Sequence, residues 1–293
     1  MNLNDNLNFS PVVQGCMTWG AWGKKMSTAE MAERMNQAVE MGITTFDHAD
    51  IYGDYTTEIE FGAAFKESGL ARKDIQLVTK CGIQYVGETR NNPIKHYQYD
   101  AEYIIWSAEK SIADLDADYL DLFLLHRPSP LMRPEEVAKA VDKLQESGKI
   151  KAFGVSNFTP SQTELIRSAT SVLFNQIEFS LVQHEAMTNG SLDHMMTHGI
   201  VPMCWSPLGG VFSEHTERNE RILAVLEELC GWYDAQPDQL LLSWIMKHPA
   251  GILPVIGTTS PRRMQLSIDA AKIELSETDW FKLWVASRGT KVP

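Results

Sequence analysis

The chain has 293 residues, of which 44% are hydrophobic, and it carries a formal net charge of −12 at pH 7. This length suits one large α/β domain or two ordinary ones. The acidic balance argues against nonspecific nucleic-acid binding, which needs a basic surface. The 4 cysteines lie far apart without a C-x-x-C spacing, which favours reduced thiols over a disulfide framework.

The first residues of the chain, 1–9, are polar and rich in asparagine. They lack the charged-then-apolar pattern of a secretory signal peptide. No apolar run approaches the ~20 residues that cross a bilayer. We therefore expect a soluble, cytoplasmic protein that binds neither membranes nor nucleic acid.

Apolar runs typical of buried strands alternate along the chain with capped, periodic segments typical of helices. The predicted strands cover residues 12–19, a stretch that begins at 44, and residues 75–79, 119–125, 150–155, 172–177, 200–205 and 252–256. The predicted helices cover residues 28–41, 57–68, 100–115, 134–148, a short segment after 160, and residues 191–198, 219–233, 237–247, 262–271 and 277–286. Residues 83–99 show no clear period and are expected to form a functional or mobile loop.

This alternation predicts eight parallel strands joined by right-handed helical crossovers, and no break in composition marks a domain boundary. We expect residues 1–293 to form a single α/β domain, a closed (β/α)8 TIM barrel with C-terminal helices and long loops on the substrate side. A doubly wound open sheet is the alternative. No G-x-G-x-x-G follows the first strand, which weakens the open-sheet interpretation.

Titratable residues fall where the predicted strands end, on the face where a parallel barrel carries its active site. Asp47 and Tyr52 follow the second strand, Lys80 the third and His126 the fourth. Each alone has an ordinary structural explanation, such as a helix cap or a turn. Together, they describe a proton donor for a carbonyl oxygen: a lysine ammonium lowers a tyrosine pKa, a carboxylate holds the lysine charged, and a histidine binds the carbonyl.

Other strand ends carry residues that suit a flat heteroaromatic cofactor. The side-chain amides of Asn157 and Gln176 could bind a carboxamide, and Trp205 offers a surface on which a ring could stack. The small residues 206–210 form a loop whose backbone could approach phosphates. Residues 257–260 precede a helix start at Pro261-Arg262-Arg263, which is typical of an anion site, although a solvated helix face is an open alternative for the arginines.

No metal-ligand pattern competes with this interpretation. His194 and His198 have helical i,i+4 spacing, but the glutamate of an H-E-x-x-H motif is absent. We therefore predict no metal site.

Several segments, in order, carry a resemblance to the aldo-keto reductase superfamily from about Val12 to the C-terminal helices. The chain is most similar to the bacterial YdhF-type oxidoreductases within that superfamily. The resemblance rests on residues 46–53 (Phe-Asp-His-Ala-Asp-Ile-Tyr-Gly), 79–82, 118–128, 154–158, 175–178, 205–210 and 254–259.

The resemblance implies a metal-independent barrel enzyme that reduces small aldehydes or ketones to alcohols by hydride transfer from NADPH, as a monomer or weak homo-oligomer. It makes Tyr52 the general acid, with Lys80 and Asp47 lowering its pKa and His126 orienting the carbonyl. The alternative within this superfamily is a cofactor-sensing regulatory subunit with little turnover.

The resemblance also implies which residues contact the cofactor and the substrate. Arg263 favours NADPH over NADH, although Gly257 stands where many relatives have lysine, and Leu266-Ser267 replace a common Glu-Asn pair. The substrate contacts implied at the mouth, besides His126, are Trp22, Tyr85 and Phe212. The implied cofactor contacts are Thr18, Trp19, Ser156, Asn157, Gln176, Trp205, Ser206, Pro207, Leu208, Gly209, Gly210, Gly257, Thr258, Thr259 and Arg263.

Overall fold

The structure, a computed structural model, describes residues 7–292. Eight parallel strands close into a barrel, and two short antiparallel strands, β4 and β5, form a hairpin beside it. The expected (β/α)8 barrel is therefore confirmed. The strands are β1 (Val13–Gly15), β2 (Thr45–Asp47), β3 (Gln76–Cys81), β4 (Ile83–Gln84), β5 (His96–Tyr97), β6 (Leu120–Leu125), β7 (Ile150–Ser156), β8 (Phe174–Glu178), β9 (Val201–Trp205) and β10 (Leu253–Ile256).

Helices surround the barrel, and capping residues mark where several of them begin and end. The Ser27 side chain accepts a hydrogen bond from the Glu30 amide, and Glu30 caps the Ser27 amide in return. Gly69, with a φ of 72°, ends the second helix. The helices are α1 (Thr28–Glu40), α2 (Thr57–Ser68), α3 (Ala101–Asp114), α4 (Pro134–Glu146), α5 (Pro160–Arg167), α6 (Ser191–His198), α7 (Glu217–Tyr233), α8 (Pro237–Met246), α9 (Pro261–Asp269) and α10 (Glu277–Arg288).

Apolar side chains from several strands contact one another and fill the interior of the barrel. Every residue of β6 is buried, as expected for a strand covered on both faces. Each large aliphatic side chain in this core contributes roughly 1.5–3 kcal/mol by leaving water. The buried cluster inside the barrel consists of Leu7, Val13, Val78, Leu122, Leu124, Ala152, Phe174, Val201, Met203 and Val255.

Two predicted elements differ from the structure. The first strand ends at Gly15 rather than at Trp19, and the chain then turns, so that the Trp19 indole packs against Phe46 and Phe61 with ring centroids 6.3 and 5.9 Å away. Residues 83–99 are not wholly irregular, because Ile83 pairs with Tyr97 in the β4–β5 hairpin. Two-residue strands are too short to produce a recognisable period.

The barrel ends set the position of every loop that follows a strand. Asp47 pairs with Gly15 of β1 on one side and with Val78 of β3 on the other.

No helix among residues 7–292 combines the length and the apolar character that crossing a membrane requires.

Candidate active site

The four titratable residues predicted from the sequence meet at the carboxyl end of the barrel. Lys80 lies two residues beyond Val78 along β3, so its side chain points to the same side and reaches Asp47 at the end of β2. The Lys80 Nζ atom donates a hydrogen bond of 2.8 Å to Asp47 Oδ2 and lies 3.3 Å from the Tyr52 hydroxyl. Lys80 Nζ also donates a hydrogen bond of 2.6 Å to the carbonyl oxygen of His48.

Backbone hydrogen bonds hold the other two members against β3. The turn that carries Tyr52 is anchored by Asp50, whose amide donates to the Lys80 carbonyl at 3.0 Å. The His126 amide donates to the Cys81 carbonyl at 2.9 Å, just beyond β6. The rings of Tyr52 and His126 consequently lie 6.1 Å apart and nearly perpendicular, with an interplanar angle of 79°.

The Lys80–Asp47 ion pair is almost completely shielded from water, with side-chain exposures of 1% and 4%. Burial alone would lower the pKa of Lys80. The charge of Asp47, together with Tyr52, more than offsets that effect and raises the Lys80 pKa above its usual value. Lys80 is therefore an ammonium group at neutral pH.

The pKa of Tyr52 does not follow the expectation drawn from the sequence. Burial raises it, and this effect outweighs the lowering by Lys80, so the Tyr52 pKa lies above 10.0. The sequence predicts that a lysine lies near Tyr52, but it does not predict that the phenol is buried. Tyr52 is therefore a protonated hydroxyl that can donate a proton at neutral pH.

His126 is neutral for a different reason. Its burial lowers its pKa well below the usual value, and the positive charges of Lys80, Arg127 and Lys95 lower the pKa further. Its Nδ1 atom is buried, and no group among residues 7–292 forms a hydrogen bond with it. A neutral imidazole beside the Tyr52 hydroxyl can form a hydrogen bond with a substrate oxygen.

A chain of hydrogen bonds joins this group to the polar residues of the next strands. Trp205 Nε1 donates to Asn157 Oδ1 at 3.0 Å, and Asn157 Nδ2 donates to Ser156 Oγ at 2.8 Å. Ser156 Oγ donates to the Gln176 carbonyl at 2.9 Å, and Gln176 Nε2 donates to Asp47 Oδ1 at 2.9 Å. The structure thus brings these predicted cofactor residues together with Asp47, Tyr52, Lys80 and His126, which we call the tetrad.

Asn157 and Ser206 adopt left-handed backbone conformations, with φ values of 62° and 52°. Both residues come directly after strands, β7 and β9 respectively. Non-glycine residues with positive φ are uncommon and gather at binding sites, where surrounding contacts hold them in place.

A cleft of about 960 Å³ lies between the loop after β9 and the loop after β10, and none of the four tetrad residues lines it. Its lining includes the predicted segments 206–210 and 257–260 with Arg263. The Ser260 side chain does not cap α9, so the first amides of that helix are available to an anion. The size, the free amides and the arginine fit a phosphorylated dinucleotide.

The cleft also contains residues that sequence reasoning did not assign to the cofactor. Lys24 lies two residues after Trp22, an implied substrate contact, and Gln236 and Asp238 lie where α7 leads into α8. No motif marks these residues, because tertiary folding alone brings their loops to the cleft.

The predicted mouth residues divide into two groups. The Trp22 ring lies 6.2 Å from the Tyr52 ring and 5.3 Å from the Tyr85 ring, so the three aromatic side chains form one cluster. Phe212 lines the cleft instead. The side chain of Trp19 is fully buried in the core and is not available to a cofactor, whereas Thr18 is half-buried in the same loop.

The sequence profile of the Aldo/keto reductase family matches residues 11–284. The chain belongs to the aldo/keto reductase family. It is therefore an NAD(P)H-dependent oxidoreductase that acts on carbonyl groups, as predicted.

Two similar proteins and one solved structure show how far this likeness extends. The chain is 38% identical to a 6-dehydroglucose reductase from Agrobacterium fabrum, over 99% of this chain and 98% of the relative. It is 36% identical to oxidoreductase YdhF from Escherichia coli, over 97% and 96%, which confirms the predicted likeness to that type. The glycerol dehydrogenase AKR11B4 from Gluconobacter oxydans shares the fold with a TM-score of 0.85, at 21% identity over 97% of this chain and 94% of that one.

Proposed function

We propose that this aldo/keto reductase reduces an aldehyde or ketone to an alcohol with NADPH, and that Tyr52 donates the proton. The observation that carries the proposal is the position of the Tyr52 hydroxyl, 3.3 Å from the buried Lys80 ammonium. Bound NADPH would supply a hydride to the carbonyl carbon.

The residues of the tetrad then have distinct tasks. The substrate oxygen accepts hydrogen bonds from Tyr52 and from neutral His126, which orients the carbonyl. As negative charge develops on that oxygen, Tyr52 transfers its proton. Lys80 stabilises the resulting phenolate, and Asp47 keeps Lys80 charged. The filled tetrad favours this function over a regulatory subunit with little turnover.

The charge of the cleft supports NADPH over NADH. Arg263 and Arg262 are exposed at the start of α9, and Lys24 faces the same cleft. A guanidinium group suits a phosphate because it presents parallel donors. We therefore infer that the adenosine 2′-phosphate lies at the start of α9, near Thr258 and Arg263.

We infer that the substrate is a hydroxylated aldehyde. This inference rests on the 38% identity to a protein named 6-dehydroglucose reductase. It also rests on the aromatic faces of Trp22 and Tyr85 beside the Tyr52 ring, since such faces pack well against the C–H surface of a sugar. A panel of 6-dehydroglucose, simple aliphatic aldehydes and ketones would test this class.

The test of the chemistry compares Tyr52→Phe with Tyr119→Phe. Tyr119 lies before β6, away from the carboxyl end of the barrel, and is a matched control. We expect Tyr52→Phe to bind NADPH like wild type, measured by fluorescence quenching, while kcat falls about 10²–10⁴-fold. Tyr119→Phe should keep its turnover. A Tyr52→Phe enzyme with near wild-type kcat would refute the assignment.

A further inference from the structure

A cluster of potential metal ligands lies outside the barrel, on the facing helices α5 and α6. Glu164 comes from α5, and His194 and His198 come from successive turns of α6. One ligand atom from each side chain lies within 4.8 Å of the others. The two histidine rings are neighbours, with centroids 4.6 Å apart. None of these residues belongs to the active site.

The distances match those of a zinc site. His194 Nε2 lies 2.8 Å and His198 Nε2 lies 3.7 Å from the same Glu164 oxygen, Oε1. Tetrahedral zinc with bonds of about 2.0–2.1 Å separates its ligand atoms by roughly 3.4 Å. Small side-chain rotations would therefore place all three groups around one ion.

The sequence pattern predicts no metal site, because no glutamate follows His194 on the same helix. The structure supplies the carboxylate from another helix instead. The hydrogen bond with His194 holds the pKa of Glu164 below its usual value, so this group is ionised at neutral pH. The three ligands are accessible from solvent, with side-chain exposures of 48% for Glu164, 12% for His194 and 33% for His198.

Arg167 competes for the same groups. Its Nε atom lies 2.8 Å from Glu164 Oε1, and its Nη2 atom lies 3.1 Å from His198 Nδ1. Because arginine can only donate, His198 Nδ1 accepts, and the proton of a neutral His198 ring then lies on Nε2. An ion bound at Nε2 requires the ring tautomer whose proton lies on Nδ1, so binding breaks the hydrogen bond from Arg167 to His198 and displaces the guanidinium from Glu164.

We propose that Glu164, His194 and His198 form a binding site for a zinc-like divalent transition-metal ion, with a water as the fourth ligand. Imidazole and carboxylate ligands together suit Zn²⁺, Ni²⁺ or Cu²⁺, whereas Mg²⁺ and Ca²⁺ prefer sites built from oxygen alone. The ion joins α5 to α6, and since the unfolded chain lacks this arrangement, binding stabilises the folded protein.

The first experiment measures Zn²⁺ binding to EDTA-treated protein by competition with a chromogenic chelator. We expect one ion per chain at this site, and at least tenfold weaker binding in His194→Gln and in His198→Gln. His215→Gln is the matched control, since His215 is an exposed histidine before α7, and it should bind like wild type. The proposal would be overturned by equal zinc affinities of wild type and His194→Gln. It would also be overturned if wild type bound no zinc at a zinc concentration of about 0.1 mM.

Arg167→Gln tests the competition directly. This variant should bind Zn²⁺ at least as tightly as wild type, because the competing cation is gone. Weaker binding would overturn the arrangement, since the guanidinium would then help to hold the ion.

Thermal unfolding gives a second readout that needs neither cofactor nor substrate, so its outcome is independent of the proposed function. Zn²⁺ should raise the melting temperature of wild type and of His215→Gln. It should leave His194→Gln unchanged, and Mg²⁺ should shift none of them. Equal melting temperatures of the metal-free proteins would show that the variants fold. A zinc-induced rise that persists in His194→Gln would contradict the proposal.

Discussion

Gln176 Nε2 donates a hydrogen bond of 2.9 Å to Asp47 Oδ1, and Lys80 holds the other oxygen of the same carboxylate at 2.8 Å. The two donors approach from β8 and β3, on different sides of the barrel. Asp47 is therefore fixed in position by strands far apart in sequence, and it orients the lysine that faces the Tyr52 hydroxyl. Three of the predictions below follow from such long-range contacts.

Removing the Asp47 charge should destabilise the protein more than removing the whole ion pair. Asp47→Asn leaves the Lys80 ammonium buried without its counterion, and we expect a loss of about 3–5 kcal/mol in the free energy of unfolding. The double variant Asp47→Asn/Lys80→Met should be more stable than Asp47→Asn alone. Urea unfolding of wild type, Asp47→Asn, Lys80→Met and the double variant measures this cycle, and strictly additive effects would argue against a coupled pair.

A lysine at position 257 should strengthen the preference for NADPH. A Cβ atom built on Gly257 would meet no atom within 4 Å, so the backbone accepts a side chain there. The added ammonium would lie at the start of α9, beside Arg263, and attract a phosphate. We expect a severalfold lower KM for NADPH and an unchanged KM for NADH, with Gly257→Met as the uncharged control. An equal change for both cofactors would place the phosphate elsewhere.

Two buried carboxyl groups should make the protein less stable as pH rises. Burial raises the pKa of Glu58 to about 7 from 4.5, and burial together with Glu58 raises that of Asp50 to about 7 from 3.8. The folded state keeps these protons to a higher pH than the unfolded state does. Their contribution to the stability of the fold is therefore complete below about pH 4, near the unfolded pKa values, and is lost as the pH rises through about 7, the folded pKa values.

Glu58→Gln should remove part of this dependence. In wild type, the Thr79 hydroxyl donates a hydrogen bond of 2.5 Å to Glu58 Oε1. The glutamine amide can still accept this hydrogen bond, and the amide carries no charge. We expect the variant to exceed wild type by on the order of 3 kcal/mol at pH 8 and to match it near pH 4.5. Denaturant unfolding across this range measures the difference. The exposed Glu67→Gln should follow wild type, and parallel curves for Glu58→Gln would disprove the buried charge.

The aromatic mouth should act on substrate rather than on cofactor. Trp22→Ala removes the ring that lies 6.2 Å from Tyr52 and 5.3 Å from Tyr85, but leaves the tetrad contacts intact. We expect the KM for the aldehyde to rise about tenfold, a loss of roughly 1.4 kcal/mol, and the Kd for NADPH to stay the same. The reverse pattern would assign Trp22 to the cofactor site.

The sequence by itself predicted the helices, the strand order along the chain and the four candidate residues of the tetrad. Ser27 and Asp100 cap the helices that the sequence predicts at residues 28–41 and 100–115, and α2 covers the predicted residues. These features depend on neighbours within one or two turns or on local periodicity, and both are legible in a linear sequence. The tetrad was recognisable because each member lies at or just beyond the carboxyl end of a strand, and the carboxyl ends of parallel strands converge.

The tertiary structure alone decided which residues are buried and which distant groups meet. It placed Trp19 in the core, and it raised the pKa of Tyr52, since desolvation depends on the whole surrounding protein. It also brought Glu164 to His194, thirty positions further along. Closure of the barrel fixes these encounters, because the position of each strand and helix is set by neighbours that the local sequence does not encode.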